Sequence, residues 1–133
     1  MGVLDINREI KARFNETWGN TTPVAWPNKT FVPEVGEPWV RIFIRTFPRQ
    51  LLELGTTPKT YRTSGLIQIQ VFTPKGEGDK EALQYADQIA SIFNIWCGAT
   101  VRCRESSIKT IGESDDGWYQ VNISVPFHQD EVI

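Results

Sequence analysis

One histidine, two cysteines, a short acidic run and a glycine-punctuated turn are the residues of this chain whose types could carry chemistry. General acid–base work near neutral pH would rest on His128 or on a buried carboxylate. His128 follows Pro126-Phe127 close to the end of the chain with no sequence neighbour to orient it, and it reads as an ordinary surface histidine. Cys97 and Cys103 offer thiolates, but their spacing lacks the second half of a zinc site. They read as reduced, partly buried thiols between a helix end and the next strand. Glu113, Asp115 and Asp116 could face a hard cation, yet the ordered ligand spacing and distant terminal glutamate of a calcium loop are missing. That run reads as a solvated turn. Lys75-Gly76-Glu77-Gly78-Asp79-Lys80 sets two glycines before a helix, where an anion can sit. Without a lysine followed by Ser or Thr it reads as the turn that starts the helix. The expectation is no catalytic residue, no metal and no cofactor.

The chemistry on offer elsewhere is that of contact. Aromatics are threaded through prolines from Val24-Ala25-Trp26-Pro27-Asn28 through Phe31, and Glu37-Pro38 then feeds an alternating strand. Trp39, Arg41, Phe43, Arg45 and Phe47 fall on one side of it, with Val40, Ile42, Ile44 and Thr46 on the other. The aliphatic side is the predicted core. The opposite side, three aromatics and two arginines, suits a partly buried protein interface. It also suits a stacking surface for single-stranded nucleic acid, or a face that is merely solvated or covered by a helix.

These residues must be positioned by a small fold. The chain has 133 residues, a net charge of -2 and a pI near 5.4, enough for one domain and without general attraction to nucleic acid or anionic membrane. No basic-plus-apolar leader opens the sequence, and no window approaches the ~20 apolar residues needed to cross a bilayer. Asn15, Asn20, Asn28 and Asn122 begin glycosylation sequons, which carry little weight without a secretion signal.

The first predicted element is a helix capped by Asp5, with Leu4, Ile6, Ile10, Phe14 and Trp18 at roughly helical spacing and Gly19-Asn20 ending it. Val24–Trp26 is a short extended piece stopped by Pro27, and Phe31-Val32-Pro33 is too proline-bound for a central strand. The 49–60 connection, with Leu51, Leu52 and Leu54, is long enough to be mobile or functional, and a neighbour covering its leucines would make them economical. Tyr61 to Phe72 alternates as a strand. Asp79 starts a second helix whose stripe runs Ala82, Leu83, Ala86, Ile89, Ala90, Phe93 and Trp96. Two more strands, Thr100–Ile111 and Trp118–Phe127, flank the acidic 112–117 hairpin, and His128–Ile133 reads as a frayed or partner-docked end. The whole predicts one α+β domain over 1–133. It has two layers, a mostly antiparallel sheet of four to five strands with two helices packed on one face.

Ala25-Trp26-Pro27-Asn28 with Phe31-Val32-Pro33, then Pro38-Trp39-Val40-Arg41, resembles the opening of the small tail-terminator-like proteins of long-tailed bacteriophages. The Gly65–Phe72 strand is similar to that family's central strand, with the Pro74–Gly78 turn before the second helix. Gly117-Trp118-Tyr119 followed by Val121–Phe127 is similar to its closing strand. The resemblance implies a non-enzymatic virion protein, assembled in the host bacterial cytoplasm. It would form a homo-oligomeric ring, usually a hexamer, on the head-proximal end of the tail tube. There it would stop tube polymerisation, join a head-completion (connector) protein and let DNA pass through its lumen. On that reading Trp39, Phe43 and Phe47, with Arg41 and Arg45, are the expected subunit contacts. The 49–60 loop with Leu51, Leu52 and Leu54, and the hairpin with Asp115 and Asp116, are the expected docking loops on the axial faces.

Overall fold

The computed structural model describes residues 2–52 and 58–132. Helix α1 (Val3–Trp18) forms because Ile6, Ile10, Phe14 and Trp18 recur every four residues and bring one stripe to one side; all four are buried. Leu4 lies off that stripe and is exposed, contrary to expectation. Gly2, not Asp5, holds the cap position and has no side chain to bond, while Asp5 sits in the first turn, where a carboxylate favours the helix dipole. Gly19, at φ 57°, closes the helix and donates its N–H to the Asn15 carbonyl at 3.1 Å.

Among the described residues a single sheet holds seven strands, not four to five: β1 (Val24–Ala25), β2 (Trp39–Thr46), β3 (Gln50–Leu51), β4 (Thr60–Pro74), β5 (Val101–Cys103), β6 (Ser107–Glu113) and β7 (Trp118–Val132). The main order is β1-β2-β4-β7-β5, with β3 on β4 beyond the end of β2 and β6 on β7 beside β5. Seven strands therefore share five lateral positions. The β1–β2 pair is parallel and the remaining pairs are antiparallel. The extra strands are two or three residues long, too short for alternation to register in a sequence.

Thr100–Ile111, expected as one strand, divides into β5 and β6. The break lies opposite Pro126: Arg104 donates its N–H to the Pro126 carbonyl at 2.8 Å, and that side of Pro126 has no N–H to return. The end from His128, expected to be frayed or partner-docked, is not frayed: it continues β7, paired with β4 as far as Thr60↔Val132. Arg62 grips both carboxylate oxygens of Asp130 at 2.7 and 2.9 Å, and Arg49 reaches Glu131 at 3.1 Å.

Register sets Val40 and Ile42 beside Val71 and Ile69, and these beside Val121 and Ile123, all on one face. The buried stripes of both helices join these residues in one core. Helix α2 (Lys80–Phe93) contributes Ala82, Ala86, Ile89, Ile92 and Phe93, whereas Leu83 is exposed. It ends three residues before Trp96, because the chain turns away to bond elsewhere: Ile95 donates to the Arg104 carbonyl at 3.1 Å and Asn94 accepts from the Ser106 N–H at 2.9 Å. Trp96 still packs edge-on against Phe93. Arg13 ties α1 to α2 by donating to the Ile92 carbonyl at 3.0 and 3.1 Å, and its guanidinium lies over Trp96.

Candidate interaction surface

The sheet face opposite the helices is the one left partly open. Antiparallel register lines up Arg41, Gln70, Asn122 and Lys109 in one row and Phe43, Gln68, Ser124 and Ser107 in the next. These side chains are half-buried or exposed, a polar and cationic pavement with aromatic patches. Phe43 is 38% exposed and Phe47 50%, and Arg45 is exposed between them.

Trp39 behaves differently. It is only 5% exposed, stacked on Phe72 at 4.2 Å and on Phe31 at 5.1 Å, with Trp118 edge-on at 6.0 Å. Together with Ala25 these rings make a second, smaller core on the helix-free side. The Arg41 guanidinium sits 5.1 Å from the Trp39 ring centre and 5.8 Å from that of Phe72. Trp39, one of the three rings that a stacking surface for single-stranded nucleic acid would use, is thus already occupied within the chain. The open part of this face starts at Arg41 and runs through Phe43, Arg45 and Phe47. Leu51 and Leu52 continue it as exposed apolar residues, and Leu54 lies outside the described residues.

The residues with catalytic potential stay apart. His128 stands in register with Ser64 and Arg102 on the helix-free face. Burial and the neighbouring Arg62 hold its pKa below the usual imidazole value. Asp130, the carboxylate nearest to orienting it, is committed to Arg62. Cys97 is exposed and Cys103 buried, both as free thiols. The acidic hairpin is closed by its own backbone, Ser114 donating to the Trp118 carbonyl at 2.8 Å, and Lys75 approaches Glu113 at 3.9 Å. In the 75–80 turn Gly76 and Gly78 take φ of 89° and 81°, a backbone need that accounts for both glycines. Among the described residues no three His, Cys, Asp or Glu side chains gather where a metal could be held.

Sequence reading missed three ties: Glu9 bonded to the Thr100–Val101 backbone, and the Arg62–Asp130 and Arg49–Glu131 pairs. Each joins residues distant in sequence, and no local pattern announces such a pair.

The fold is a two-layer α+β domain whose helix-free sheet face is left partly open. The phage tail terminator protein family matches residues 5–127, and the chain belongs to that family. It is accordingly a structural component of a phage tail. No curated protein matches it. One of the solved structures similar to it has a TM-score of 0.64 at 22% sequence identity, covering 92% of this chain and 94% of that one, a likeness of fold. Among the described residues no helix is long and apolar enough to cross a membrane.

Proposed function

We propose that this protein closes into a homo-oligomeric ring, a hexamer, on the head-proximal end of a phage tail tube. There it ends tube polymerisation and offers the surface on which the head-completion protein joins, with DNA passing through the lumen. Family membership over residues 5–127 is the observation that carries this reading. A supporting one is the helix-free face, where Phe43, Arg45 and Phe47 remain open in a chain that has a complete core of its own. A ring demands a heterologous contact, two different patches of one chain meeting in every interface. Arg41, Phe43, Arg45 and Phe47 supply one of those patches.

The test is assembly of the tail-tube protein with and without this chain, imaged by negative stain. Capped tubes that stop growing are the expected result. Tubes that elongate equally in its presence, with no ring at either end, would remove the proposal.

A further inference from the structure

The strands give the subunit two ends of opposite charge. β4 and β7 each run 15 residues, so the ends lie roughly 45–50 Å apart. At one end β2 finishes, β4 begins and β7 finishes, bringing together Arg45, Arg49, Lys59, Arg62 and Arg102. Among the described residues the carboxylates there include Asp130 and Glu131, engaged by Arg62 and Arg49, and Glu9, bonded to the Thr100–Val101 backbone. Phe47, Leu51 and Leu52 stand exposed among these cations, Leu52 at 45%. At the other end β2 begins, β4 finishes and the β6–β7 hairpin turns. Here Glu34, Glu37, Glu81, Glu113, Asp115 and Asp116 are all exposed, with Lys75 and Lys80 as the cations. Glu81 and Glu37 both lie near Tyr85, whose pKa is pushed upward by burial and then by these two carboxylates. Exposed aliphatics lie at this end too, Val32 and Val35, the latter 98% exposed.

We infer that the basic, aromatic end of one copy docks against the acidic end of the next. This rests on the ring reading and names the second patch that a heterologous contact requires. Each end pairs apolar side chains with charge of one sign, so the two are complementary in both respects. The same end would repel itself, and like-charge juxtaposition at an interface is costly. That excludes two-fold pairing of identical ends and leaves head-to-tail contact. Solvent-exposed charges are screened over about 8 Å at physiological salt, so assembly should also weaken as salt rises.

The test uses full-length chains carrying reversed charge at one end: Arg45→Glu with Lys59→Glu, and Asp115→Lys with Asp116→Lys. Sedimentation velocity reads assembly and circular dichroism confirms folding. Each variant alone should assemble roughly tenfold or more weakly than wild type. A 1:1 mixture of the two should recover assembly, because in an alternating ring each contact then pairs either two reversed ends or two unaltered ones, and every contact is complementary. Folded variants that assemble as wild type does, or a mixture that stays unassembled, would overturn the inference and leave the ring intact. Variants that assemble normally but no longer cap tubes would assign these ends to tube or head partners, overturning it also. A wild-type chain that neither assembles nor caps tubes would sink the ring reading together with it.

Discussion

The Glu9 carboxylate on α1 accepts a hydrogen bond from the Thr100 backbone N–H at 2.8 Å and another from the Thr100 hydroxyl, while the Val101 N–H adds a third at 3.1 Å. Gln129 of β7 donates to the same hydroxyl oxygen at 2.6 Å. First helix, penultimate turn and last strand are joined through one carboxylate, and the buried Gln129 amide gains its partner there.

Replacing Glu9 by Gln keeps the volume and removes the charge that three donors address, so unfolding should become easier by about 1–3 kcal/mol. Burial alone would raise the pKa of this carboxyl, but hydrogen bonds from the Thr100 side chain and backbone and from Val101 outweigh it, and the pKa lies below the ordinary 4.5. A folded-state pKa below the unfolded one gives stability that is present above the unfolded pKa and is lost as pH falls through the folded pKa. The gap in urea midpoint between wild type and Glu9→Gln should therefore narrow on acidification below pH 4.5. A gap that widens on acidification would refute this account.

Gly65 holds β2, β4 and β7 together by having no side chain. A Cβ there would stand 2.2 Å from the Arg45 carbonyl oxygen and 2.5 Å from Phe127 Cζ. Gly65→Ala forces a strand or a core ring to move, and a loss of roughly 1–3 kcal/mol or more is expected, read by chemical denaturation. Gly36→Ala, where a Cβ would meet open space but φ is 83°, serves as the control for backbone strain without a clash; the smaller loss should be there.

Trp39 and Phe43 share a face and should part company on substitution. Trp39→Ala removes the centre of the second core and should cost about 3–5 kcal/mol of stability. Phe43→Glu changes a side chain open to solvent and should leave circular dichroism and melting nearly unchanged while preventing assembly in sedimentation. An unfolded Phe43→Glu protein would mean that this ring is a core residue.

The two cysteines should differ in kind. Cys97 is exposed, whereas burial, with Cys97 nearby, pushes the Cys103 thiol up to about 12. Brief alkylation of the native protein at pH 8 should add one label, on Cys97, and denaturation should release the second. Two labels at equal rates in the folded state would contradict the burial of Cys103.

Much of the fold was legible where a long period had room to show. Ile6, Ile10, Phe14 and Trp18 announce α1, and Val40, Ile42, Ile67, Ile69, Val121 and Ile123 announce the core face of three strands. Legibility failed at Gln129 and Glu131, polar residues on the core side of β7, which end the apolar alternation although the strand continues to Val132. It failed again at β5 and β6, where the cause is a proline in a neighbouring strand, and at Trp39, whose burial depends on Phe31, Phe72 and Trp118 converging from three other segments. The contact face was visible as a pattern of arginines and aromatics. Its division into a small core and an open remainder required the tertiary arrangement.

The long β4–β7 ladder also sets a schedule. Its register runs from Pro74↔Trp118 to Thr60↔Val132, so every rung closes a loop of dozens of residues before it yields any stabilisation. β7 lies between β4 and β5, yet it is the last strand to emerge during synthesis. A nascent chain carrying only α1, β2, β4 and α2 has its core face exposed and its principal seam missing. Folding of the core thereby waits until β7 has been made, and until then the unpaired strands expose apolar surface prone to aggregation.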